Sequence, residues 1–356
     1  SLLPNQTYKF KVVLTNNPQP TTYPQPPTSN EVTVTTMDTT SHEFSWQSWE
    51  FGECSNSVLY DVAIIDENNI WAVGEIYLRD SLGNCDPNAY NAVHWDGTKW
   101  ELKRIGGVGG WPCHTVFAFS TNNVWFEGNI HWDGSRYSVH MNGWPLLPSG
   151  DGWRVNKMWG TSSSDLYAVG NNGNIAHWDG VRWRKIESGT TLNINDIWGD
   201  FNKKQKHYEI ISIASNIYTN DGKEILLLKD QTTKKLSTGG LGAYFDAIWF
   251  KSDRHYFVVG GYIYHKRNVK TSENWKIYPS GQLNNNYAVS IRGSDFNNIF
   301  IAGAYGEIIH FNGYSWKNYS NEVNLINGEI KEIAVKGNTK VFVGYNGNKA
   351  AIIKAK

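Results

Sequence analysis

From residue 43 onward the chain repeats itself, and this constrains the fold more than any other feature. An aromatic-containing apolar run closed by glycine recurs as Ile70-Trp-Ala-Val-Gly74, Val124-Trp-Phe-Glu-Gly128, Leu166-Tyr-Ala-Val-Gly170, Tyr256-Phe-Val-Val-Gly260, Ile299-Phe-Ile-Ala-Gly303 and Val341-Phe-Val-Gly344. The glycines are spaced 54, 42, 90, 43 and 41 residues apart. The 90 covers two units, with Tyr208-Glu-Ile-Ile-Ser-Ile213 as the degenerate run between them, so the chain contains seven units of about 45 residues. A unit of this length cannot bury its own apolar face and must pack against its neighbours. Helical periodicity over ten or more residues is missing, so the unit is all-β.

Each unit reads as four short strands. The first is Tyr60–Ile65, Thr115–Phe119, Asn156–Trp159, Asn195–Trp198, Phe245–Trp249, Tyr287–Ile291 or Ile330–Val335. A polar turn leads into the glycine-closed second strand. The third ends in His94-Trp-Asp-Gly97, His131-Trp-Asp-Gly134, His177-Trp-Asp-Gly180 or His310-Phe-Asn-Gly313, and the fourth opens with Trp100, Tyr137, Trp183 or Trp316. Asp-Gly between strands favours a two-residue hairpin turn with positive φ at both positions. Histidines distributed in this way around a ring are too far apart to share a metal, so the series is structural. A four-stranded unit of this period is the propeller pattern. The seventh unit stops after Lys349–Ala355, one strand short, and His42–Phe51 precedes the first unit as a spare strand. Pairing of about 43–51 with 349–355 would close the ring and remove an exposed edge. The expectation is an all-β, seven-bladed propeller with four-stranded blades over 43–356.

Composition narrows the function. The 356 residues include 17 Trp, 19 Tyr and 14 Phe, enough to build a large core and to exclude global disorder. Lys+Arg and Asp+Glu balance at 33 each, which leaves no basic footprint for nucleic acid. No stretch approaches the roughly 18 apolar residues of a membrane-spanning helix. Cys54, Cys85 and Cys113 lack metal or redox spacing and fit one bridge plus an odd thiol, or no bridge.

The first 36 residues differ from the rest. Tyr8–Leu14 and Glu31–Thr36 alternate as strands, joined by a segment with Pro18, Pro20, Pro24, Pro26 and Pro27. Leu2-Leu3-Pro4-Asn5-Gln6-Thr7-Tyr8, followed by Phe10 and Val12, resembles the penultimate strand of a fibronectin type III domain. Ser29–Thr36 would be its last strand. This gives an incomplete domain at 1–36, a linker at 37–42 and the propeller beyond. With Asp-Ile-Trp-Gly, Leu-Tyr-Ala-Val-Gly and His-Trp-Asp-Gly-x-x-Trp, the chain resembles secreted bacterial propellers that follow a fibronectin type III domain. It is also similar to WD-type and photosystem-assembly-factor-like propellers. The resemblance implies an extracellular or cell-surface protein, lipoprotein-anchored through an upstream part, with a protein or glycan partner and no cofactor.

Regular parts of a propeller serve the scaffold, so function is sought where the repeat breaks. Three long connections do so: Tyr77–Asn91, Gly106–His114 and Asn142–Trp153. Second-to-third loops and blade-to-blade connections emerge on one face, so these segments are expected to cluster there with all three cysteines. A Cys85–Cys113 bridge is favoured, with Cys54 as the alternative partner of either. Arg79, Asp86, Tyr90, Trp111, His114, Trp144 and Trp153 are the candidate recognition surface, because exposed aromatics with a few polar groups suit protein hot spots or sugar rings. Most other tryptophans have scaffold positions. Further contacts between chains are expected through residues 1–36. The readings are a non-catalytic recognition or assembly module, a glycan lectin, or a polysaccharide hydrolase or lyase. The last would use Asp61, His114, Lys157, Asp196 or Asp246 near the channel mouth.

Overall fold

A computed structural model describes residues 2–12, 30–107, 111–145, 153–216, 222–242, 244–278, 283, 286–323, 325 and 327–356. The segment carrying Pro18 to Pro27 and the centres of the second and third long connections lie outside the described residues. The chain is a seven-bladed β-propeller: seven antiparallel four-stranded sheets stand in chain order. Blade 1 consists of Val58–Asp66, Asn69–Ile76, Tyr90–Trp95 and Trp100–Lys103. The first strands of successive blades contact one another, and that of blade 7 (Gly328–Lys336) contacts that of blade 1, so first strands line the axis. Trp46–Phe51 pairs antiparallel with Lys349–Ala355, from Trp46 opposite Ala355 to Phe51 opposite Ala350. The ring therefore closes through the spare strand, as the missing fourth strand of the last unit required.

Blade faces are held together by the alternating apolar side chains of the strands. Between blades 7 and 1, Leu59, Ile70, Val93, Val341, Ala350 and Ile352 are fully or almost fully buried in one cluster. Burial of each branched side chain contributes about 1.5–3 kcal/mol relative to exposure, and comparable clusters fill other gaps around the ring. Trp159 lies over Gly199 of the next blade, where a Cβ would come within 2.3 Å of the indole; glycine is needed there for contact.

The hairpin between third and fourth strands differs from the two-residue turn. Trp95 pairs with Trp100, so Asp96–Lys99 form a four-residue loop. Only glycine takes a positive φ (Gly97 at 97°, Gly180 at 91°, Gly313 at 95°). Asp96 Oδ1 instead accepts the Thr98 and Lys99 amides at 2.8 and 2.9 Å. Aspartate is therefore selected for capping the loop rather than for its backbone conformation.

The histidines of the series are scaffold. His94, His131, His177 and His310 each bond through Nε2 to the Asn or Asp opening the second strand, at 2.9, 3.0, 2.7 and 3.1 Å. Their rings pack on Trp71, Trp125, Tyr167 and Phe300 with centroids 4.3 to 4.7 Å apart. Outside the ring, Thr7–Phe10 and Val32–Thr35 pair as a two-stranded ribbon, which no other strand joins among the described residues.

Candidate functional site

Every blade but the second has a register shift near the start of its first strand. One extra residue there breaks the alternation, so two consecutive side chains can serve the axis instead of one. The bulge residues are Tyr60, Asn156, Asn195, Asp246, Val289 and Lys331, with His114 in the corresponding place of blade 2. One residue further along stand Asp61, Thr115, Lys157, Asp196, Ala247, Ser290 and Glu332. The first set belongs to a mouth cavity of about 300 Å³; the second forms a plug beneath it.

The plug is a continuous charge network. Lys157 Nζ contacts Asp61 Oδ1 at 2.6 Å and Glu332 Oε2 at 2.7 Å. Arg292, whose guanidinium enters from further down the channel, donates to both oxygens of Asp196 at 2.9 Å and to Glu332 Oε2 at 3.1 Å. Thr115 Oγ1 and the Val116 amide donate to Asp61 Oδ2 at 2.9 and 3.0 Å, and the Ile248 amide donates to Asp196 Oδ2 at 2.8 Å. Burial pushes the Asp61 and Asp196 carboxyls upward, opposed mainly by Lys157 and Arg292 respectively. Burial also opposes ionisation of Glu332, yet Arg292 and Lys157 overcome it and hold the carboxyl down to about 2. These carboxylates approach closely enough for acid/base chemistry, but each is paired with a buried cation, Glu332 sharing both, and committed to the frame. Arg292 occupies the place held by Trp159, Trp198 and Trp249 in earlier blades; in blade 7 Ala334, not Lys336, aligns with them.

The loop face has two parts. Tyr77–Asn91 folds back on itself, with Arg79 bridged to Cys85 and Arg79 Nη1 donating to Gly83 O at 2.7 Å. Glu53 N donates to Tyr77 O at 2.9 Å and Arg79 N to Glu53 Oε2 at 3.0 Å, which brings Cys54 beside the loop. The disulfide is accordingly Cys54–Cys85, and the favoured Cys85–Cys113 pairing is overturned. Cys113 is the buried free thiol. It holds the inward position that Leu59 and Val155 occupy in blades 1 and 3, and its amide donates to Gly74 O at 3.0 Å.

Asn91 joins the first two connections: its Nδ2 donates to Trp111 O at 3.2 Å, and its Oδ1 accepts the Ile105 amide at 2.6 Å. Arg104 lies 4.0 Å over the Tyr90 ring and reaches Asp86 at 3.5 Å and Asn88 O at 2.9 Å. Trp111 in the second connection is 75% exposed, and Leu82 in the first is 83% exposed. His114 stacks on Tyr60 at 5.0 Å, with its Nδ1 3.6 Å from Glu127. The third connection behaves differently. Trp144 and Trp153 stack at 5.3 Å and are buried in the packing of blades 2 and 3, where Trp183 meets Trp144 edge-on. The Asn142 carbonyl accepts the Trp183 amide at 2.8 Å, drawing this segment toward the outer strand of blade 3. These two indoles give no accessible surface, contrary to their inclusion among the recognition residues. Sequence reasoning missed Asn156, Asn195, Arg154 and Glu332 around the axis; recurrence at one bulge position was the available signal for the two asparagines.

Solved propellers share this architecture. YCF48 bound to D1 peptide superposes with a TM-score of 0.62 at 16% identity, covering 87% of this chain and 94% of that one. YCF48 from Cyanidioschyzon merolae gives 0.60 at 15% identity over 87% and 98% of the chains. The WD40 β-propeller domain of Doa1 gives 0.60 at 12% identity over 87% and 97%. At such identities the likeness defines the fold. No protein-family model matches the sequence, and no curated protein matches it.

Proposed function

We propose that this propeller is a non-catalytic recognition or assembly module that binds a protein partner outside the cytoplasm, through the loop face of blades 1 and 2. The observation that carries this reading is Trp111, 75% exposed beside a loop pinned by Cys54–Cys85. An exposed aromatic whose backbone carbonyl is tied to Asn91, with Leu82 and the Arg79 and Asp86 polar groups on the connection that Asn91 ends, has the composition of a binding hot spot. Fixing the loop before binding lowers the ordering cost of association. A bridge in a chain with so few cysteines fits an oxidising compartment, which supports an extracellular or surface location.

A protein partner is favoured over a glycan because the loss of Trp144 and Trp153 to the core leaves a single exposed indole here, without a paired stacking platform. The propellers it superposes on include one solved with a peptide, which agrees with this choice. A hydrolase or lyase is disfavoured by the engagement of Asp61, Asp196 and Glu332 with Lys157 and Arg292. The ribbon at 7–10 and 32–35 is read as the end of a fibronectin type III-like domain. Its Tyr8 hydroxyl accepts the Leu3 amide at 2.8 Å, as a corner tyrosine does.

The test is site-specific photocrosslinking on the producing cell. A crosslinker at position 82 is expected to trap one protein species, and Trp111→Ala should abolish that adduct while the fold survives. Equal trapping from position 181, a solvent-exposed site on the hairpin between the outer strands of blade 3, would sink the assignment to this face.

A further inference from the structure

Every carboxylate of the plug has a cationic partner, but the acceptors of the ring above it do not. Asn156 Nδ2 donates to Asn171 Oδ1 at 2.9 Å and to Ile194 O at 3.0 Å. Asn195 Nδ2 donates to Phe245 O at 2.6 Å and to Ser215 Oγ at 3.1 Å. Reversing either amide would set its oxygen against a backbone carbonyl, so the scaffold fixes both orientations. Both Oδ1 atoms are then left without a donor among the described residues. In the next blade Asp246 has neither a hydrogen bond nor an ion pair among the described residues. Lys331, the cation beside it, is taken by Glu329 at 2.5 Å, and Glu329 also accepts the Tyr287 hydroxyl at 2.8 Å.

Three adjacent blades thus carry acceptor oxygens without donors at one ring of the mouth. The cavity of about 300 Å³ that they line is floored by Lys157, Asp196 and Glu332, all already paired. Burial, reinforced by Glu329, pushes the Asp246 carboxyl up to about 7. A half-buried carboxylate without a protein partner costs folding stability and is retained where something else uses it. Among the described residues no group of three His, Cys, Asp or Glu could hold a metal ion. Acceptors arranged in this way suit a compact cation rich in N–H donors.

We infer that the channel mouth is a binding site for a lysine or arginine side chain of the partner polypeptide, held by Asp246, Asn156 Oδ1 and Asn195 Oδ1. An ammonium brings three donors and a guanidinium five, enough for the three acceptors. The pairing is charge-assisted within a recess, where such bonds are strongest. Arg154 on the rim has no ion-pair partner among the described residues and suits a backbone carbonyl of the segment that delivers the cation. The inference rests on the loop-face reading and adds the chemistry that the partner must present.

The experiment titrates the full chain with acetyl-Gly-Arg-Gly-amide and acetyl-Gly-Lys-Gly-amide, reading side-chain amide NMR signals. Acetyl-Gly-Glu-Gly-amide and the citrulline peptide serve as uncharged or reversed controls. Saturable shifts of the Asn156 and Asn195 amides are expected for the cationic peptides, with Kd of about 1 mM and about tenfold weakening in Asp246→Asn. Val181→Ser, on the outer hairpin of blade 3, should leave these probe affinities unchanged. Equal response to the glutamate peptide, absence of saturation by about 20 mM, or indifference to Asp246→Asn overturns the cation site. If crosslinking through position 82 persists when the probes fail, the docking face stands and only the cation site falls. Asp246→Ala, which removes no partner bond, is the second variant and should reproduce the loss with the fold intact.

Discussion

Arg292→Met puts the plug itself on trial. The substitution keeps an apolar stem of similar reach but deletes two bonds to Asp196 at 2.9 Å, one to Glu332 at 3.1 Å, and donations to Ile291 O and Ile248 O at 2.8 and 3.3 Å. Asp61, Asp196 and Glu332 would then face Lys157 alone, all at the ring axis. Removing one partner of a buried ion pair costs about 3–5 kcal/mol, because the other charge stays buried without compensation. Stranded carboxylates must take up protons in the folded state, so their pKa values rise above the unfolded range. Stability from such groups is fully present at low pH and is lost as pH rises through the folded-state value. The deficit against the parent should therefore be largest at pH 8 and shrink toward pH 5. Denaturant unfolding of both proteins at several pH values, monitored by tryptophan fluorescence, measures it. Adding Asp196→Asn to the variant removes one stranded charge and should recover about 1–2 kcal/mol at pH 8, a coupling typical of contacting groups. A deficit below about 1 kcal/mol that is also independent of pH would refute the view that Arg292 neutralises the plug.

Other perturbations follow from the same geometry. His310 is fully buried and is held down to about 3 by burial, with His42 and Lys340 adding to it, so it folds neutral. Its contribution is complete above the unfolded value of 6.5 and is lost as pH falls toward 3; between pH 8 and pH 5 the loss is about 2 kcal/mol. His310→Gln should flatten that acid limb in thermal melts. Cys54→Ser releases a bridge closing 31 residues and should cost about 3–4 kcal/mol under the chain-entropy relation, seen as lower denaturant midpoints that converge with those of the parent once reductant is added. Asp246→Asn should raise the melting temperature, and more at pH 8 than at pH 5, since a carboxyl pushed up to about 7 destabilises the fold only when ionised. Trp111→Ala should leave the melting temperature within about 1 °C while removing the partner adduct, as expected of an exposed side chain.

The architecture was legible because each unit carries the same local chemistry: glycine-closed runs, Asp-Gly loops and paired aromatics such as Trp178 and Trp183. Ring closure was legible because the last unit lacks a strand and the first has one to spare. The site was legible only in part. Trp144 and Trp153 stand off the repeat in sequence, yet an off-repeat indole can be recruited into a blade interface, and periodicity does not distinguish the two outcomes. The cysteine pairing depended on how Tyr77–Asn91 folds back onto Glu53, a loop geometry with no period at all. Asp61, Lys157 and Asp196 were legible as channel-mouth residues from their places at first-strand starts, but Glu332 and the ion pairing escaped, because the partners come from blades 1, 3, 4, 6 and 7 and a bulge moves them off the two-residue alternation that guides strand reading.

The closing strand also bears on how the ring assembles and opens. Trp49 pairs with Ile352 across almost the whole sequence, whereas the other neighbouring strands within each blade are consecutive in the chain. Loop-closure entropy makes that seam about 3 kcal/mol harder to form than a ten-residue hairpin. It is the highest-order contact in the molecule, and such contacts form late. The seam is thus the last stitch of folding and the first to fray: hydrogen exchange at 46–51 should outpace that of the blade interiors, and strain applied through the residues preceding it would open the propeller there before any blade unravels.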